Sequence, residues 1–334
     1  MAYLEGDPDL SHRPRLPRDG HRHPRVSRVA VIGGGRWARV LASVASELLA
    51  EDERLSLHTP RGYEATSAWV AARADQRIEV ERDWPVRRPT AVIVANAARD
   101  HVAAVSRALE EGVPVLVEKP MAIGARDAHR LVELAAARGT TLATAHVFLY
   151  ASYLDELRRL VQAHGGARNI RIAWADPTVE LRYGEAKTYD KTLNVIEDVL
   201  PHAHSIVFAI TQRLARSAGC ATLSDEGGRA QLELRVDDAR VGVRLAREAD
   251  ARARVIDVEV DDATVRLDFT EEPGNLSLNG VPVAQRAPYA RNPGPVARML
   301  AAFLEAARGG PFDPRLDPMI GVRACELTDQ ALGR

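Results

Sequence analysis

The stretch Val29-Ala30-Val31-Ile32-Gly33-Gly34-Gly35-Arg36-Trp37-Ala38 decides how this chain is read. Four apolar residues run straight into three glycines, and an amphipathic stretch follows to about Ala50. The last six residues match G-x-G-x-x-G/A. Behind a strand and ahead of a helix, that spacing has a physical reading. Gly33 makes the tight turn, Gly35 lets backbone approach a pyrophosphate, and Ala38 lets the helix pack close to the strand. The helix N-terminus, with Arg36 and Trp37 in its first turn, then faces the phosphates. The pattern predicts dinucleotide binding; a glycine turn serving another ligand, such as a methyl donor, is the alternative.

Outward from this loop, strands alternate with helices. Arg54–Leu57, Ile78–Val80, Ala91–Ala95, Val113–Val117 and Leu142–Phe148 read as further strands, with helices over His101–Glu111 and Ala125–Arg138. That order predicts a doubly wound parallel sheet, a Rossmann domain over residues 27–148. The second half changes period. Leu232-Leu234-Val236, Val241-Val243-Leu245 and Val265-Leu267-Phe269 place apolar residues at alternate positions, the mark of an antiparallel sheet with one buried face. Residues 149–334 therefore read as a second α/β domain with a large, mostly antiparallel sheet, carrying helices over Val195–Gln212 and Pro295–Ala307 and a C-terminal helix.

The chain has 334 residues, 46% of them hydrophobic, enough for two cores. A formal charge of −1 gives no global attraction to nucleic acid or to a membrane surface. No apolar run is long enough to span a bilayer. Residues 1–26 are rich in Arg, Pro, His and Asp and lack a signal-peptide core, so they read as a disordered tail. Two distant cysteines, Cys220 and Cys325, point to a reducing cytoplasm and to no cysteine-based metal site.

Three features carry chemistry. Lys119, one of only three lysines, ends the run Val115-Leu116-Val117-Glu118-Lys119-Pro120. Unlike arginine, a lysine can exchange its proton with a substrate. Asp198 and His202 stand four apart on the helix of the second half and share a face. Such a pair can position an imidazole for acid/base work, or can be a structural hydrogen bond. Pro201 suits only a first turn, which puts the helix start near it. His202 and His204 lack ligand spacing, so no metal is expected. Finally, the second strand ends Leu57-His58-Thr59-Pro60-Arg61, without the carboxylate that an NAD site places on the ribose. Thr59 and Arg61 suit a 2′-phosphate, which favours NADP over NAD.

Together, the glycine loop Gly33–Ala38, the segment Ala95-Asn96-Ala97-Ala98-Arg99-Asp100-His101, Glu118-Lys119-Pro120 and Asp198-x-x-x-His202 resemble, in order and spacing, the glucose–fructose oxidoreductase, inositol dehydrogenase and MocA (Gfo/Idh/MocA) family. The resemblance covers roughly Arg28 to the C-terminus. It implies a substrate held between the two domains. Lys119 would hydrogen-bond the reacting oxygen, His202 would be the acid/base, and Asp198 would orient it. Asn96, His101 and Glu118 would line the cofactor pocket. A homodimer or homotetramer is implied too. Leu200-Pro201 depart from the glycine common inside the D-x-x-x-H motif. The segment Ala145-His146-Val147-Phe148-Leu149-Tyr150 resembles members acting in sugar-nucleotide or secondary metabolism. His146, with Lys187 and Tyr189 of the polar loop Leu181–Asp190, is a candidate substrate contact. The expectation is an NADP-dependent oxidoreductase acting on a secondary alcohol or ketone of a small, sugar-like molecule. Reduction of a C=N bond and a non-catalytic cofactor-binding role are the alternatives.

Overall fold

The computed structural model describes residues 28–50, 52–73, 75, 77–182, 185–186, 189–285 and 294–334. The N-terminal segment expected to be disordered and Lys187 lie outside the described residues. The first sheet is built from β1 (Arg28–Ile32), β2 (Arg54–His58), β3 (Ile78–Glu81), β4 (Ala91–Val94), β5 (Val115–Val117) and β6 (Leu142–Thr144). Its order is β3-β2-β1-β4-β5-β6 and every pairing is parallel. Helices cover both faces, which is why the strands are continuous apolar runs. Val29, Val31, Leu57 and Ile93 pack towards α1 (Arg36–Glu47), while Ala30, Ile32, Val92 and Val117 pack towards α3 (His101–Glu110) and α4 (Ala125–Arg138). A helix not read in the sequence, α2 (Tyr63–Ala71), fills the β2–β3 connection. Strand order reverses between β1 and β4, so the chain crosses over on opposite sides there and leaves a crevice at the strands' C-terminal ends.

The strand expected over Leu142–Phe148 ends at Thr144, and a 3₁₀ turn over Val147–Tyr150 replaces its second half. The turn leads into α5 (Ser152–Ala163), a further helix that the sequence reading lacked. Then come β7 (Asn169–Pro177), the hairpin of β8 (Leu181–Arg182) and β9 (Glu185–Ala186), and α6 (Val195–Thr211). The remaining strands are β10 (Ser217–Ala218), β11 (Thr222–Ser224), β12 (Arg229–Val236), β13 (Ala239–Ala249), β14 (Ala253–Glu259), β15 (Thr264–Asp268), β16 (Asn275–Leu278) and β17 (Val281–Pro282). They form a nine-stranded sheet with β7, antiparallel except for the β7–β13 pair. β14 is a central strand that the sequence reading missed, because Arg254 and Asp257 interrupt its apolar pattern. The inner face, with Ile172, Leu234, Val243, Ile256 and Leu267, packs on α5 and α6.

Two expectations about helices need correction. α6 starts at Val195, six residues before Pro201. Asn194 caps it, accepting from the backbone N–H of Ile196 and Glu197, while Glu197 accepts from the N–H of Asn194. This capping box fixes the start, and the proline is tolerated inside a helix held on all sides by buried neighbours. The last two helices, α7 (Pro295–Ala307) and α8 (Pro318–Leu332), belong to the second half by sequence, yet Met299, Phe303 and Ile320 join the core of the parallel sheet beside Leu41. No helix among the described residues is long and apolar enough to cross a membrane.

The glycine loop is fixed by the sheet. Gly33 has φ +136°, and a Cβ there would stand 2.5 Å from the Ala95 carbonyl oxygen at the end of β4. At Gly35 a Cβ would meet nothing within 4 Å. Gly33→Ala should therefore cost on the order of 2 kcal/mol or more of folding stability. Gly35→Ala should fold like the parent and lose at least tenfold in dinucleotide affinity. Urea unfolding and cofactor titration of both variants check this pair of outcomes.

Candidate active site

A cleft of about 1080 Å³ runs from the glycine loop to α6. Gly33, Gly35, Arg36 and Trp37 line one end together with Thr59, Arg61, Asn96 and His101. Glu118 and Lys119 stand midway, and Phe148, Trp174, Tyr189, Asp198 and His202 line the other end. The parallel sheet thus delivers the first group and the antiparallel half the second.

Lys119 and Asp198 meet across this boundary. Lys119 Nζ donates to Asp198 Oδ1 at 2.5 Å and to the Asp198 backbone carbonyl at 2.8 Å. An ammonium has three N–H donors. One is left, on a half-buried group at the cleft edge. The other carboxylate oxygen, Oδ2, accepts from Arg247 Nη2 at 2.8 Å. Burial alone would raise the Asp198 pKa, but Lys119 and Arg247 hold it well below the usual carboxylate range.

Asp198 makes no hydrogen bond to His202, contrary to the expected orienting role; its oxygens accept from Lys119 and Arg247, and His202 Nδ1 is buried without a partner among the described residues. The His202 ring is held by aromatic packing instead. It stacks on Trp174 with centroids 5.4 Å apart and planes at 14°, and Phe148 meets it edge-on at 5.2 Å. Trp174 is itself fixed, with the Arg254 guanidinium 3.6 Å from its ring centroid and its indole N–H donating to Asp176 at 3.3 Å. Arg254 and Asp176 form a buried ion pair. Burial, then the Lys119 charge, keeps the His202 pKa well below 6.5, so its imidazole is neutral at rest.

At the cofactor end, His101 ties the loop after β4 to the Lys119–Pro120 segment. Its ring nitrogens lie 2.8 Å from the Pro120 carbonyl and 3.3 Å from that of Asn96. Glu118 accepts from the Trp37 side chain, and burial pushes its carboxyl up to about 7. Dinucleotide geometry fits these residues. Gly35 faces open space at the start of α1, and Arg36 Nη1 is buried without a partner among the described residues. Thr59 fits less well than expected, because its hydroxyl donates to the Arg61 carbonyl and presents only lone pairs outward. Asp83, just beyond β3, brings a carboxylate to the same end that reading β2 alone could not reveal.

His146 is also displaced from its expected role. It is 1% exposed, lies beneath the cleft and does not line it. Tyr189 does line the cleft, with its hydroxyl donating to the Pro177 carbonyl at 3.1 Å. The sequence reading missed Arg247, Trp174, Asp176 and Arg254. All four sit at the inward parity of their strands, where Ile172, Leu245 and Ile256 are apolar. A polar or aromatic residue breaking an apolar alternation at one strand end was the available signal.

Residues 27–146 match the model of the Gfo/Idh/MocA oxidoreductases, described as an oxidoreductase family with an NAD-binding Rossmann fold. Over those residues the chain is similar to the Gfo/Idh/MocA family, and the match marks it as an NAD(P)-dependent oxidoreductase. The Salmonella typhimurium protein YceM is 25% identical over 272 residues, 75% of this chain and 80% of its own. The dTDP-3,4-didehydro-2,6-dideoxy-alpha-D-glucose 3-reductase of Streptomyces violaceoruber is 35% identical over 94 residues, 28% of this chain and 27% of its own. Among solved structures, the UDP-N-acetylglucosamine 3-dehydrogenase of Acidithiobacillus ferrooxidans superposes with a TM-score of 0.70 at 20% identity, covering 91% of this chain and 96% of that one. That likeness shows a shared fold.

The buried imidazoles set an acid limit on stability. Burial pushes His146 and His204 down to about 3. In the unfolded chain they titrate near ~6.5, so below that pH the unfolded state binds protons that the folded state refuses. Stability should fall as pH drops from ~6.5, by about 1.4 kcal/mol per pH unit for each histidine. Denaturant unfolding at pH 6.5 and 4.5 should differ by roughly 3–6 kcal/mol. A flat profile over that window would contradict the burial of these rings as neutral groups.

Proposed function

We propose that this protein is an NADP-dependent oxidoreductase acting on a secondary alcohol or ketone of a sugar, cyclitol or sugar-like molecule. The observation that carries the reading is the single N–H left on Lys119 at the middle of the cleft, with Asp198 holding the other two. Nicotinamide, when bound, takes or gives the hydride.

The residues supply the rest. As a carbonyl is reduced, negative charge builds on its oxygen, and the fixed Lys119 donor stabilises that charge in a site shielded from water. His202 handles the proton. Its neutral form is the base that accepts the hydroxyl proton in the oxidative direction; in the reductive direction it relays a proton taken up from solvent to the alkoxide oxygen. Trp174 and Phe148 hold its ring plane and add flat apolar walls that suit the C–H face of a cyclic polyol. Relatives named for sugar-nucleotide substrates support this substrate class. For the cofactor, the buried unpartnered Arg36 Nη1 and the exposed Arg61 favour a 2′-phosphate. Asp83 is the group that would favour a free ribose hydroxyl.

Lys119→Ala and His202→Ala should each lower kcat by at least a hundredfold on a turned-over polyol or its ketone, with cofactor affinity within about threefold of the parent. Full activity in either variant would overturn the assignment. NADPH should be used at least tenfold better than NADH by kcat/KM, and Arg36→Ala with Arg61→Ala should erase that preference. A preference for NADH would assign the ribose contact to Asp83.

A further inference from the structure

We propose that Arg247 is a positioning residue for the proposed reaction, acting through Asp198 to keep one Lys119 donor free for substrate; the inference rests on the Lys119 role proposed above.

The strand that carries Arg247 is built to aim it. β13 runs beside β7 with Ala246 opposite Ala175 and Ala249 opposite Pro177. Arg247 and Glu248 therefore stand together opposite Asp176 alone, which is a β-bulge. Glu248 takes φ +53°, the left-handed conformation such an extra residue often needs. On the other edge the Arg247 N–H donates to the Gly228 carbonyl at 2.7 Å, which carries the β12 register one residue further. The bulge sits at the sheet end that faces the cleft, and it sends a guanidinium inward where the alternation before it places Val243 and Leu245.

The Arg247 side chain makes three hydrogen bonds, all to the first residues of α6 and the turn before it. Nη1 donates to the Leu193 carbonyl at 2.7 Å, and Nη2 to the Asn194 carbonyl at 3.3 Å and to Asp198 Oδ2 at 2.8 Å. Its side chain is 10% exposed. The guanidinium also stands over the Tyr189 ring, 5.2 Å from its centroid. One cation thus joins the second sheet, the helix start and the carboxylate that holds Lys119.

The geometry has a consequence for Lys119. A carboxylate with both oxygens free can chelate an ammonium through two N–H groups. With the Asp198 carbonyl already taking one, all three donors would then be spent on Asp198. Arg247 holds Oδ2 towards the helix start, and Lys119 bonds Oδ1 alone of the two carboxylate oxygens. The third N–H stays available to a substrate oxygen. Arg247 bonds neither Lys119 nor His202, and its one link to the proposed donor runs through the Asp198 carboxylate.

Two measurements on the full chain test this. The first is a double-mutant cycle on kcat. Arg247→Met should lower kcat at least tenfold with cofactor KM within twofold, Arg247→Lys should recover part of the loss, and in an Asp198→Asn background Arg247→Met should change kcat by less than twofold. Additive losses would overturn the proposal. The second needs no turnover: acetylation of Lys119, read by peptide mass spectrometry against the exposed Lys191. Asp198→Asn should raise Lys119 labelling several-fold, whereas Arg247→Met should lower it several-fold, because the freed oxygen claims another N–H. A rise in both variants would mean that Arg247 merely secures the helix start, and would sink the idea. If the parent turns over no polyol or ketone, the functional reading fails, while the labelling result still decides the role of Arg247.

Discussion

The contact between Lys119 and Asp198 is the constraint on which the site depends. One group ends a central strand of the parallel sheet; the other sits in the first turn of a helix packed on the antiparallel sheet. They are 79 residues apart and meet at 2.5 Å. Neither could be left alone at this boundary. An uncompensated charge at 15% or 22% side-chain exposure would carry a solvation cost that the pair and Arg247 jointly offset. Closing this ion pair brings the cofactor end and the substrate end of the cleft into register, so that the glycine loop, Lys119 and His202 face one space.

Around that contact, two different means hold the chemistry in place. Charges hold Asp198 and Lys119, while flat rings hold His202. The Arg254–Asp176 pair lies behind Trp174 and fixes the ring on which His202 stacks. Separating the two networks leaves the imidazole without a carboxylate partner, and hence neutral. A histidine bonded to Asp198 would be biased towards its charged form. The observed division gives a charged donor and a neutral base within one cleft, a pairing suited to reversible hydride and proton exchange.

Much of this was legible in the sequence. The parallel sheet followed from strands alternating with helices outward from the strand–glycine–helix stretch at Val29–Ala38. Lys119, His202 and Asp198 stood out by type and position, and the cleft collects all three. The partners were harder to read. Asp198 and His202 share a helix face, which suggests a bond between them; only the fold reveals that Lys119 and Arg247 compete for the same carboxylate and win. His146 looked like a substrate contact because nothing local shows that the strand ends at Thr144 and that the turn after it buries the ring. β14 escaped because the buried Arg254 breaks its apolar alternation, whereas α5 carried a readable period, with Tyr153, Leu154, Leu157, Leu160 and Val161 at helical spacing. For the partners, His146 and β14 the missing information was a tertiary neighbour rather than a local propensity.

In the proposed reaction a hydride crosses this cleft between nicotinamide and a carbon bearing an oxygen held by Lys119. The most direct measurement is isotope transfer: incubate the protein with NADPH deuterated at C4 and a panel of ketones derived from sugars and cyclitols, then weigh the products. The expected product is an alcohol one mass unit heavier, with the label on the former carbonyl carbon, formed by the parent and lost in Lys119→Ala. Bound NADPH with no deuterium in any product would contradict it.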